Sequence, residues 1–248
     1  MLLDLKKGVL YGPVDSRRYG KSLGINLMPT QYKLCSFNCL YCHYGLTQKC
    51  AFEGDRFEDD MPTYDQVVTA LEAALKSSME LDLITFSGNG EPTLHPEFPP
   101  LVDAVAYLRA RYRPQARVAL LSNATGLLRD DVRGSLAKID LPVLKLDAST
   151  DAKFRAINRP AKGVRFEDIL DRLHSAQNIY LQTAFFDGAI CNTEPRDLEL
   201  YAKLLGSIRP IEVHIYSIDR PVPEKAISLV SVERLKAVSY THLTLPTN

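Results

Sequence analysis

From Leu23 onward, short apolar runs alternate with longer amphipathic stretches without a break, and this limits the fold more than any other feature. The runs Leu23–Met28, Leu81–Ser87, Arg117–Ser122, Pro142–Asp147, Asn178–Ala184 and Glu212–Ile218 have the length and residue types of strands. Tyr64–Ser78, Glu97–Tyr112, Asp130–Lys138, Phe166–Ala176 and Pro195–Ile208 carry apolar residues at helical spacing. Thr63, Pro96, Asp130 and Thr193 supply the chemistry of helix starts. Strand and helix in strict alternation predict an α/β fold, a parallel sheet joined by crossover helices. No low-complexity linker or internal repeat divides the pattern, so it reads as one domain.

The strands carry a second signal. A parallel sheet covered on both faces has strands that are apolar throughout. Here side chains of alternate parity differ. Lys145 and Asp147 share a face opposite Leu144 and Leu146, and His214 and Tyr216 oppose Val213 and Ile215. Gln182, Asn26 and Thr85 lie on the polar side of their own strands. One polar residue is commonly a satisfied core residue. The same pattern on five strands predicts an apolar face against helices and a polar face around a ligand-holding lumen.

Four of the five cysteines fall within sixteen residues, Cys35, Cys39, Cys42 and Cys50, with Cys191 apart. An odd count in a chain of 248 residues does not make a secreted disulfide framework, and the clustering points to a metal. The first three have the spacing C-x3-C-x2-C, in the loop after the first strand, at the carboxyl end of the sheet where parallel barrels carry their sites. Three thiolates can hold three irons of a 4Fe-4S cluster and leave the fourth open. Other readings remain at this point. Cys35, Cys39, Cys42 and Cys50, or a set including His43, could hold zinc. Cys39-Leu40-Tyr41-Cys42-His43 is a literal haem c attachment sequence, but attachment would need export. Gly88-Asn89-Gly90 begins a dinucleotide fingerprint whose third glycine is missing, with Thr93 in its place.

The cysteine spacing, Tyr41 before the third cysteine, and Ser87-Gly88-Asn89-Gly90-Glu91-Pro92 after the second strand together resemble the radical S-adenosylmethionine (SAM) superfamily. Asn89 departs from that superfamily's Gly-Gly-Glu-Pro segment. Tyr11–Arg18, Ser22–Ile25, Lys145–Ala148 and Ile157–Pro160 are similar to an Fe-S oxidoreductase subgroup related to wybutosine-type tRNA-modifying enzymes. The resemblance implies a partial (β/α)6 parallel barrel, truncated here at its last helix. It implies an enzyme with a 4Fe-4S cluster on Cys35, Cys39 and Cys42. SAM would lie against Tyr41, Gly88, Gly90, Glu91, Asn123, Lys145 and Asp147: Gly88, Gly90 and Glu91 at its amine, Asn123 and Asp147 at its ribose, Lys145 at its carboxylate. The cluster would donate an electron to SAM and yield a 5′-deoxyadenosyl radical that takes a hydrogen from a substrate. An external one-electron donor such as flavodoxin or ferredoxin is implied, and RNA as substrate only through the subgroup. A non-catalytic zinc or iron-sulfur regulator is the competing reading.

Composition bears on partners and compartment. Lys and Arg number 30, as do Asp and Glu, so no basic excess marks a nucleic-acid or anionic-membrane binder. No apolar run approaches the ~18 residues of a membrane span. The N-terminus lacks a signal peptide, and Ser16-Arg17-Arg18-Tyr19 reads as a basic loop because no apolar stretch follows it. A cytoplasmic enzyme is expected.

Three regions follow: 1–22 as an extension packed on the barrel, 23–237 as the barrel, and 238–248 apart. Val238–Asn248 resembles a translated sequencing adapter and is expected to pack poorly, with the natural chain continuing differently beyond a helix that starts near Val230. Cys191 and Cys50 read as free thiols, with a redox role for Cys50 as the alternative. His95 could face SAM or stabilise its loop. His214 leans toward the lumen and a substrate, and Arg220 toward an anion or the sheet edge.

Overall fold

The computed structural model describes residues 2–16 and 18–242, and of Tyr240, Thr241 and His242 the backbone alone. Seven strands form one curled sheet in chain order. They are β1 (Leu10–Ser16), β2 (Gly20–Ile25), β3 (Leu83–Phe86), β4 (Arg117–Ser122), β5 (Leu141–Lys145), β6 (Tyr180–Phe185) and β7 (Glu212–Ser217). From β2 to β7 every neighbouring pair is parallel. β1 alone is antiparallel, paired with β2 from Leu10 opposite Ile25 to Ser16 opposite Gly20. The sheet is parallel, as the alternation predicts, and curls into the partial barrel that the resemblance implies, with one strand more than the six expected, because the segment before Leu23 enters the sheet. The first predicted strand shifts accordingly: Asn26, Leu27 and Met28 lie past the end of β2.

The helices are α1 (Tyr64–Lys76), α2 (Phe98–Tyr112), α3 (Asp130–Ser135), α4 (Asp151–Asn158), α5 (Phe166–Ser175), α6 (Pro195–Ile208) and α7 (Val232–His242). Thr63 caps α1 as expected, in a reciprocal box with Gln66. The start of α6 is capped at Glu194, one residue past the predicted Thr193. The eight-residue α4 has too few turns to show a helical period in the sequence.

Parity along the strands decides the layers. Leu23, Ile25, Ile84, Phe86, Val118 and Leu120 face outward into a core with Leu71, Leu75, Leu101 and Val105 of α1 and α2. Leu144 and Leu181 face Ile169, Leu173, Leu198 and Leu205 of α5 and α6. Ser22, Thr85, Ala119, Leu121, Val143, Gln182 and His214 face inward along the lumen. The two edges of the curl meet through side chains. The Arg18 guanidinium donates to the Ile215 carbonyl at 3.3 Å, and the Tyr19 hydroxyl meets His214 Nε2 at 2.8 Å. The basic stretch read as a loop is thus the β1–β2 turn, with Arg17 outside the described residues.

Only the first two residues of the expected tail have described side chains. α7 runs through Val238, which is 3% exposed and joins the core with α5 and α6. The rest of that expectation concerns Tyr240 and Leu243, whose side chains lie outside the described residues.

Candidate functional site

Cys35, Cys39 and Cys42 line one cavity of about 180 Å3 at the carboxyl end of the sheet. The loop bearing them is held from below. Leu34 N–H donates to the Asn89 carbonyl at 3.2 Å, and Glu91 N–H donates to the Leu34 carbonyl at 3.1 Å. This approach leaves no room for a side chain at Gly90, where a Cβ would sit 1.5 Å from Leu34 O. Gly88 adopts φ +130°, and a Cβ there would lie 2.5 Å from Asn26 Oδ1. Both glycines line the cavity.

Asn89 has its own structural role. Its side-chain amide donates to the carbonyls of Lys6 and Pro29, both at 2.9 Å, and its Oδ1 accepts from Lys6 N–H at 2.7 Å. Asn26, expected on the lumen face, accepts from Asn89 N–H at 3.0 Å and is spent on holding this segment. The departure at Asn89 therefore ties the glycine segment to the N-terminal extension.

Glu91 is 1% exposed and accepts four hydrogen bonds: from Thr93 N–H (3.1 Å), the Thr93 hydroxyl (2.7 Å), the Ser122 hydroxyl (2.8 Å) and Asn123 N–H (2.7 Å). Burial raises its carboxyl above the ordinary range against these donors. Asn123, at the end of β4, donates to Ser36 Oγ at 2.8 Å and approaches Cys35 Sγ at 3.6 Å, while its Oδ1 accepts from Thr125.

Lys145 and Asp147 are adjacent on the inner face, as parity predicts, and form an ion pair at 2.9 Å with side chains 14% and 0% exposed. Lys145 also reaches the Tyr216 hydroxyl at 3.0 Å, and its ammonium lies 5.0 and 4.6 Å from the ring centres of Tyr41 and Tyr216. Burial opposes this charge, but Asp147 and Tyr216 outweigh it and raise the Lys145 pKa. The Asp147 carboxylate is fully engaged. It accepts from Lys145, the Tyr41 hydroxyl, Asn158 Nδ2 (2.9 Å) and Ala184 N–H (2.9 Å). Such a carboxylate has no oxygen turned to the cavity, so a direct ribose contact, expected from its parity, does not follow from its placement.

The other expected residues separate. Cys50 is exposed, lies opposite Cys35 in the short ladder Leu34–Cys35 with Lys49–Cys50, and lines a different surface depression. It does not line the cavity that the other three thiols share. His95 is spent on its loop, with Nε2 at 2.9 Å from the Pro62 carbonyl and Nδ1 accepting from Glu97 N–H at 3.1 Å. His214 faces the lower lumen, as expected, beside Tyr19. Cys191 is a lone thiol near Glu194, at 3.6 Å, and Arg220 is exposed.

Two functional candidates escape a reading of the sequence. Lys33 is 2% exposed, lines the cavity with the three cysteines, and donates to the Gly45 carbonyl at 2.9 Å. Burial would lower its pKa, but Cys42, Cys35 and Cys39 prevail and raise it. A loop lysine reads as solvated. The signal available was its place two residues before the first cysteine. Asn158 donates to Cys39 Sγ at 3.4 Å as well as to Asp147. Its signal lay in Ile157–Pro160, noted above without a role.

Three cysteines around one cavity, with a buried ammonium among them, suit an anionic group held by three thiolates. Burial raises the Cys35 and Cys39 thiols, the latter to about 11. Bound to metal, a thiol is deprotonated outright. Among the described residues no His, Cys, Asp or Glu groups converge on one point as ligands of a single ion would. Three thiols lining one cavity supply the ligand type that an iron-sulfur cluster takes.

This chain is similar to known proteins in sequence and in fold. The family described as the Radical SAM superfamily matches residues 32–205. A UPF0026 protein of Synechocystis is 35% identical over 86% of this chain and 77% of its own length. A protein of Brachyspira hyodysenteriae named GTPase Obg is 28% identical over 95% of this chain, which spans only 34% of that protein. The solved structure of TYW1 with a lysine-pyruvate adduct bound shares the fold at a TM-score of 0.58 and 16% identity, over 88% of this chain and 71% of that one.

Proposed function

This chain belongs to the radical SAM superfamily, a family of enzymes that use a 4Fe-4S cluster and SAM, and on that premise we propose how its own residues divide the work. Cys35, Cys39 and Cys42 hold the cluster and leave one iron open. The single observation that carries this reading is that the three thiols share a cavity with Tyr41, Gly88, Gly90, Glu91, Asn123 and Lys145, six of the seven residues that the resemblance implies for SAM, Asp147 being the one outside it. Held there, the cluster would supply the electron that cleaves SAM to methionine and a 5′-deoxyadenosyl radical able to take a hydrogen atom from a substrate.

The protein positions these groups and excludes water. Gly88 and Gly90 bring backbone close to the cavity, where carbonyls accept from the methionyl ammonium, with Glu91 beside them as an anion. Asn123 serves the ribose. Lys145 pairs with the SAM carboxylate, and Asp147 acts on SAM through Lys145 and Tyr41, which it fixes in place. Tyr41 walls the adenine side. The electron comes from an external one-electron donor of the flavodoxin or ferredoxin kind.

Anaerobic reconstitution with iron and sulfide, followed by dithionite and SAM, tests the reading. 5′-Deoxyadenosine and methionine in equal amounts are expected. A chain that purifies with one zinc, and that yields no 5′-deoxyadenosine after reconstitution, would instead be a metal-binding regulator.

A further inference from the structure

Lys33 is the most deeply buried cation near the cavity, and its surroundings are unusual for an ammonium. Its ammonium donates to the Gly45 carbonyl at 2.9 Å, and it lines the same cavity as the thiols of Cys35, Cys39 and Cys42. No carboxylate pairs with it in an ion pair among the described residues. An ammonium taken out of water without an anion is strongly disfavoured. Among the described residues, the three cysteines that share its cavity would give it anionic partners once their sulfurs bind metal as thiolates.

The site is also rigid. Lys33 N–H donates to Gln48 Oε1 at 2.9 Å, and the Lys33 carbonyl accepts from Lys49 N–H at 3.2 Å. Gly45 in turn donates its N–H to the Cys42 carbonyl at 2.9 Å. The ammonium is thus clamped between the strand that leads to Cys35 and the turn that follows Cys42.

We propose that Lys33 is a positioning residue whose fixed charge sets the reduction potential of the cluster held by Cys35, Cys39 and Cys42. Each electron added to a three-thiolate cluster adds one unit of negative charge. A cation held beside the sulfurs favours the reduced form, and the effect is large where water is absent. Net charge and hydrogen bonds to sulfur are among the levers by which a protein moves such a potential. Lys33 supplies both at one atom. The inference rests on the cluster assignment above and is independent of whether SAM is cleaved.

The test is a redox titration of the reconstituted chain without SAM, read by the electron paramagnetic resonance signal of the reduced cluster. Lys33→Met and Lys33→Gln remove the charge, and Lys33→Arg keeps it. At the potential where wild type is half reduced, the neutral variants are expected to show at least a tenfold lower ratio of reduced to oxidised cluster, about 59 mV for one electron. Lys33→Arg is expected to stay near wild type. Neutral variants that fold by circular dichroism yet hold no iron, while Lys33→Arg holds it, also support the proposal. Iron-loaded neutral variants with the wild-type midpoint overturn it, as does an arginine variant shifted as far as the neutral ones. The expected shift in the neutral variants, with a wild-type chain that makes no 5′-deoxyadenosine, would sink the proposed function and leave Lys33 standing. A wild-type chain that assembles no cluster overturns both.

Discussion

At the scale of single residues, the site separates groups that touch a cavity from groups that hold other groups still. Cys39→Ala is expected to abolish iron retention, whereas Cys50→Ala leaves iron per chain unchanged, because Cys50 lies on another surface. Iron and sulfide assays after reconstitution decide this. Asp147→Ala strands the buried Lys145 ammonium and leaves three further donors unanswered, so a loss of about 3–5 kcal/mol is expected in denaturant unfolding. The cluster cysteines, Tyr41 and the glycine–glutamate segment were legible in the sequence because their chemistry needs fixed spacing in a short stretch. Lys33 and Asn158 were not, since a lysine or asparagine shows its role only through what surrounds it. Asp147 was legible as an inward-facing residue, but parity gives a direction and not the donors that wait there.

At the scale of elements, the strand ends are shaped by contacts that cross the chain. Gly90→Ala places a carbon against the Leu34 carbonyl and forces apart the two segments that carry Cys35 and Glu91. A clear drop in melting temperature together with lost iron retention is expected. Gly134→Ala is the matched control. Nothing lies within 4 Å of its new methyl, it sits in α3, and about 0.4–1 kcal/mol of stabilisation is expected from chemical unfolding. The principal helices and inner strands were legible because the apolar period of each differs and repeats over enough residues. β1 was missed as a strand because Gly12, Pro13, Asp15 and Ser16 give it no apolar alternation. It is formed by pairing with β2, a cause that is tertiary and leaves no local mark. α7 crosses a boundary drawn from resemblance alone, since Val238 packs by volume and apolarity whatever its origin.

At the scale of the whole molecule, the curl leaves a lower lumen of about 280 Å3 whose seam is made by Tyr19, Arg18 and His214. Burial first, then the Arg18 charge, holds His214 below its ordinary value of 6.5 against the pull of Glu212. Burial does the same to His43 and His95. A base depressed in the folded chain binds fewer protons there than in the unfolded chain. Stability from these groups is therefore complete above about pH 6.5 and declines as the pH falls toward the folded values. The melting temperature is expected to drop between pH 6.5 and 5, and less so in His214→Phe. No helix among the described residues is long and apolar enough to cross a membrane. The seam has one further consequence. A ring closed by a backbone ladder parts only by unzipping a whole strand, but among the described residues this one is latched by the side chains of Arg18 and Tyr19 against Ile215 and His214. The sheet is therefore a leaf spring clasped at its tips, its described closure resting on side chains and not on a ladder of backbone hydrogen bonds.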